Sequence, residues 1–98
     1  MVETQNEKQE RALLVGLVTA KQNLQKMQEN LDELAFLAET AGAIPVEQVY
    51  QNLHLPDNRT YVGSGKLAEI KQIIRLKAID VLIFDDEISP AQQRNIEK

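Results

Sequence analysis

Three clusters of residues have types and spacings that could support chemistry. Gly63-Ser64-Gly65-Lys66 stands directly before a helical pattern, where free backbone N–H groups can hold a phosphate. A full nucleotide-binding loop needs Gly-x-x-x-x-Gly-Lys-Ser/Thr, whose last hydroxyl holds Mg²⁺. Here Thr60 stands at the first glycine position and Leu67 at the hydroxyl position, so two required parts fail. The plainer reading is a tight turn whose glycines permit positive φ before a helix. Asp85-Asp86-Glu87 follows an apolar run, and carboxylates at a strand's carboxyl end can hold Mg²⁺ or act in phosphotransfer. A phosphoacceptor site also needs distant acidic partners, but Thr19-Ala20-Lys21 stand after the first apolar run. The plainer reading is that these acids favour the N-terminus of the following helix through its dipole. The third cluster is Arg59, Lys66, Lys71, Arg75 and Lys77, within which Lys71 and Arg75 are spaced to share a helix face. Such a face can meet RNA phosphates, although a charge run is more often only a solvated surface. No aromatic residues interleave to make a stacking platform.

His54, the only histidine, lies in a turn-rich stretch with no carboxylate constellation around it. Ser64 and Ser89 have no identifiable base and fit turn and cap positions better than nucleophilic ones. No catalytic constellation and no metal set emerge. The candidate contacts for RNA or phosphate are Gly63, Ser64, Gly65, Lys66, Lys71 and Arg75, and no cofactor is expected in this chain.

The elements that must position these residues alternate. Ala12 to Val18 is a short, nearly all-apolar run, as in a strand buried on both faces of a parallel sheet. The polar stretch 19–29 reads as a long connection. Asn30 can cap a helix with Glu33 reaching back; Leu31, Leu34, Ala35, Ala38 and Ala41 then keep helical spacing, and Gly42 supplies a stop. Ile44 to Gln51 reads as a second strand, placed at a sheet edge by Pro45. Asn52 to Arg59 is turn-rich. Lys66 to Lys77 is an amphipathic helix with Leu67, Ile70, Ile73 and Ile74 inward, and Val81 to Phe84 is a third strand. Ser89 then caps a third helix, with Pro90 at its first position and Gln92 completing a capping box.

The expected fold is a small three-layer α/β domain, with a mostly parallel sheet of three strands and helices on its faces. The second strand is expected beside the first and the third on its other side. The natural sequel to the last helix, a fourth strand, is missing, so residues 11–98 read as a domain truncated at its C-terminus, behind a flexible tail at 1–10. The exposed edge of the third strand would then invite self-association.

The chain has 98 residues, enough for one domain, with no cysteine and no tryptophan. Disulfides and thiolate metal sites are thereby excluded. No apolar run is long enough to span a membrane, and the polar, acidic first residues do not make a secretory signal. A cytoplasmic location is expected. The net charge of −4 gives no global attraction to nucleic acid, so an RNA contact must come from a local basic patch.

Three segments together resemble a known family. They are Glu33-Leu34-Ala35 through Ala38-Glu39-Thr40-Ala41-Gly42, then Thr60-Tyr61-Val62-Gly63-Ser64-Gly65-Lys66, and Phe84-Asp85-Asp86-Glu87-Ile88-Ser89-Pro90-Ala91-Gln92 with Arg94-Asn95. From about Arg11 to Lys98 the chain is similar to the N-terminal domain of HflX-type GTPases. The resemblance implies a cytoplasmic protein that binds the large ribosomal subunit and its rRNA, and splits or rescues stalled ribosomes. It also implies a helical hairpin and a Ras-like domain downstream, the latter binding GTP and Mg²⁺ in the full-length parent. No GTPase motif is present here, so no nucleotide-binding residue carries over to this chain. The expected function is a ribosome-binding module, non-enzymatic alone, with its own downstream GTPase domain as a further partner. The alternatives are a phosphate-binding or receiver-like signalling domain using the Gly63–Lys66 and Asp85–Glu87 loops, and a scaffold that only orients the GTPase domain.

Overall fold

β1 (Arg11–Val18) has no solvent face: Ala12, Leu13, Leu14 and Val15 are fully buried. Alternation along this strand supplies two cores. Leu13, Val15 and Leu17 pack with Tyr61, Val62, Ile70 and Ile79 on one side of the sheet. Ala12 and Leu14 pack with Met27 and Leu31 on the other. This is why the run is apolar without a period of two: both faces of a parallel sheet are covered. Each of the larger side chains contributes about 1.5–3 kcal/mol by leaving water.

The computed structural model describes residues 9–97, so the tail expected at 1–10 lies mostly outside the described residues. After β1 come α1 (Leu24–Thr40), β2 (Ile44–Asn52), α2 (Ser64–Lys77), β3 (Val81–Phe84) and α3 (Pro90–Glu97). The three strands form one parallel sheet in the order β2-β1-β3, as expected. α1 covers the Leu14 face and α2 the Leu13 face, giving the three layers. β2 is an edge strand. The register slips between Ala12 and Leu13, which face Pro45 and Glu47, so Val46 forms a bulge beside the residue that cannot donate.

α1 departs from expectation. Its N-cap is Asn23, whose Oδ1 accepts the Lys26 amide at 2.8 Å, and Asn30 lies inside the helix. The stretch read as a loop consists of good helix formers, Leu24-Gln25-Lys26-Met27-Gln28-Glu29, and the buried Met27 anchors it to the sheet. Polar residues masked the period because that turn has only one inward position. The C-terminal stop stands: Gly42 has φ +98°, and the Ala43 amide reaches back to the Ala38 carbonyl at 2.9 Å. α2 begins at Ser64, slightly earlier than expected. The box on α3 forms as read: the Gln92 amide donates to Ser89 Oγ at 3.0 Å, and the Ser89 amide to Gln92 Oε1 at 2.8 Å.

Among the described residues β3 has a strand neighbour on one side only. Along its outer edge runs a groove of about 830 Å³ between α2 and α3, walled by Leu67, Ile74, Leu82, Phe84, Ile88 and Ile96 among others.

Candidate functional site

The glycine segment and Asp85 come together at the carboxyl ends of the strands, whereas Arg75 and Lys77 lie at the far end of α2. The glycine segment does not take the conformation expected of it. Gly63 is the N-cap of α2 with φ −67°, and Ser64, Gly65 and Lys66 are already helical. Among the described glycines only Gly42 has a positive φ. The left-handed residue of this loop is Tyr61, at φ 69°. For an aromatic residue this conformation costs on the order of 1 kcal/mol or more, and it persists only where the surroundings enforce it. Gly63 is small for another reason. Its amide donates to Gln51 Oε1 at 2.8 Å, and a Cβ there would lie 3.0 Å from Gln51 Nε2. The Gln51 side chain therefore satisfies the amide of the N-cap residue, and Gly63 itself has no side chain to cap the first turn of α2.

Tyr61 is held from three directions. Its backbone pairs with Asp57 in both directions, at 2.9 and 3.0 Å. Its ring meets Phe84 edge to face, with centroids 5.3 Å apart. Its hydroxyl donates to Asp85 Oδ1 at 2.6 Å. Asp85 Oδ2 accepts from Gln22 Nε2 at 2.7 Å and, more weakly, from the Leu17 amide at 3.4 Å. Gln22 also donates to the Leu17 carbonyl at 2.9 Å and accepts from Asn30 Nδ2 at 2.8 Å. One chain of hydrogen bonds thus runs Asn30–Gln22–Asp85–Tyr61 and ties α1, the ends of β1 and β3, and the loop before α2.

This corrects the reading of the acidic cluster. Asp85 does not face the dipole of α3, whose first turn holds no acid. Both its oxygens are engaged within the fold. Asp86 is exposed and accepts the Glu87 amide at 2.8 Å. No group of three potential metal-ligating His, Cys, Asp or Glu side chains occurs among the described residues. His54 is exposed in the loop, and its carbonyl accepts the Ala20 amide.

Two ionisable groups have displaced titrations. Burial, then the hydrogen bond to Asp85, holds the Tyr61 phenol well above its ordinary value of 10.0. The folded state thus keeps a proton that the unfolded chain releases near pH 10. The associated stability is fully present below that pH and is lost as pH rises above it. We expect wild-type stability to fall more steeply above pH 10 than that of Tyr61→Phe, measured by urea denaturation at pH 8 to 11. Parallel profiles would contradict the bond. The amides of Arg59 and Thr60, bonded to Asp57 Oδ1 at 2.7 and 3.1 Å, hold that carboxyl below its usual range.

The cations do not form one surface. Lys66 pairs with Glu69 at 3.0 Å, and Lys77 with Glu47 at 2.6 Å. Lys71 and Arg75 line the groove together and make no ion pair among the described residues. Six residues of helix, about 9 Å, separate Lys71 from Gly65. The six candidate contacts therefore split into a helix start and a groove wall.

A small parallel α/β domain of this construction is matched by the family of GTP-binding GTPase N-terminal domains, over residues 28–98. Over its full length the chain is 40% identical to the GTPase HflX of Flavobacterium psychrophilum, covering 24% of that protein. It is 42% identical to the GTPase HflX of Chlamydia pneumoniae, over 89% of this chain and 19% of the relative. It is 32% identical to that of Escherichia coli K12, over 91% of this chain and 20% of the relative. The chain belongs to the HflX-type GTPase family, as its N-terminal domain. It spans a quarter or less of the length of these curated relatives. No helix among the described residues is long and apolar enough to cross a membrane.

Proposed function

We propose that this domain is the ribosome-docking module of a cytoplasmic HflX-type GTPase, acting on the large subunit during splitting or rescue of stalled ribosomes. The observation that carries the proposal is the pair Lys71 and Arg75, two cations on one helix face without ionic partners among the described residues. In this reading GTP and Mg²⁺ bind in a downstream domain of the parent, and the domain has no catalysis of its own. The strand-end residues support this, because Asp85 and Gly63 are engaged in building the loop. The open edge of β3 beside this groove would favour self-association of the isolated domain.

The domain should bind large subunits or rRNA weakly and with salt sensitivity. Two phosphate contacts correspond to a log–log slope of about −2 or somewhat less. Lys71→Glu with Arg75→Glu should weaken binding about tenfold or more, read by filter binding across a salt series. Binding indifferent to salt and to both reversals would remove the patch from the proposal.

A further inference from the structure

α3 has two occupied faces. On one side it grips the loop before α2: Gln92 Nε2 donates to the Asp57 carbonyl at 2.7 Å, and Asn95 Nδ2 to the Arg59 carbonyl at 3.0 Å. On the other, Gln93, Ile96 and Glu97 line the groove beside β3. The buried Ile96 is the apolar anchor of the helix. The gripped turn is one that needs holding. Asp57 folds it through the Arg59 and Thr60 amides, and it ends at Tyr61 in the left-handed region. Two residues further on, Gly63 starts α2.

We propose that α3 couples the groove to this loop. Whatever sets the position of α3 from the groove side also sets, through Gln92 and Asn95, the conformation of the Asp57–Tyr61 turn at the start of α2. The physical basis is a helix that shares residues with both places and that carries two of the bonds closing the turn. The identity of the groove's occupant rests on the docking reading. The coupling belongs to the free domain and is tested there without RNA or ribosomes.

Amide hydrogen exchange by NMR on the chain alone provides the test. In Gln92→Ala with Asn95→Ala, the Tyr61 amide, bonded to the Asp57 carbonyl, should exchange roughly tenfold faster or more, because two bonds holding the turn are gone. Leu14 and Val15 in β1 should exchange as in wild type. If the double variant does not fold, the two single variants should show graded increases. Ile96→Ala, which removes the anchor of α3 without touching Gln92 or Asn95, should also speed exchange at Tyr61. Coupling is reciprocal, so Tyr61→Phe should speed exchange at the Gln93 amide of α3, bonded to the Ser89 carbonyl. Wild-type rates at Tyr61 in the α3 variants would overturn the proposal, as would a loosened turn in Tyr61→Phe with α3 unchanged. Loss of RNA binding in Lys71→Glu and Arg75→Glu bears on the docking reading alone.

Discussion

Asp85→Ala should destabilise the domain by about 3 kcal/mol, since the Tyr61 hydroxyl and the Gln22 amide lose their shared acceptor in a partly buried place. In a domain of this size, with a stability on the order of 5–10 kcal/mol, that is a large share. The mechanism is the stranding of donors at the point where α1, β1, β3 and the loop meet. Asp85→Asn keeps an acceptor towards Tyr61 but turns a donor towards the Gln22 amide or the Leu17 amide, so it should recover only part of the loss. Asp86→Ala, one residue on and exposed, should stay within about 0.5 kcal/mol of wild type. Urea denaturation followed by circular dichroism separates these outcomes. Equal midpoints for the Asp85 and Asp86 variants would show that the tie contributes nothing.

Gly16→Val should cost a further class of energy, about 2–3 kcal/mol of overpacking. Gly16 lies in the middle of β1 under α1. A Cβ there would stand 2.7 Å from Met27 Sδ, 3.0 Å from Met27 Cγ and 3.1 Å from Leu31 Cδ1. Both neighbours are buried, so neither can swing aside freely. The glycine sets how closely α1 lies on the sheet. Combining Gly16→Val with Met27→Ala should recover part of the loss, a coupling measurable by a double-mutant cycle. A stable Gly16→Val protein with an unshifted thermal midpoint would show that α1 tolerates a wider spacing.

These two sites show where local pattern stops being informative. β1 and β3 were readable because both their faces are apolar, and the capping box Ser89–Gln92 because all its members lie within one turn. The strand order followed from the usual behaviour of parallel sheets. The start of α1 was hidden by a first turn with one inward residue, Met27. The Tyr61–Asp85 bond was unreadable for a different reason: its partners lie 24 residues apart, and nothing local distinguishes a carboxylate that closes a loop from one that awaits a cation. Lys77 looked like part of a basic surface because its partner, Glu47, belongs to a distant strand. The glycine segment misled in the same way, since the positive φ falls on Tyr61 and the close approach on Gly63. Two of the three segments that carried the family resemblance, Thr60 to Lys66 and Phe84 to Gln92, are joined by the Tyr61–Asp85 bond.

The most direct measurement is titration calorimetry of the domain with GTP, and separately ATP, in millimolar Mg²⁺. Strand-end residues that serve the fold should give no saturable heat and no hydrolysis. Binding at micromolar nucleotide, abolished by Lys66→Ala, would mean that the Gly63–Lys66 segment is a nucleotide site after all.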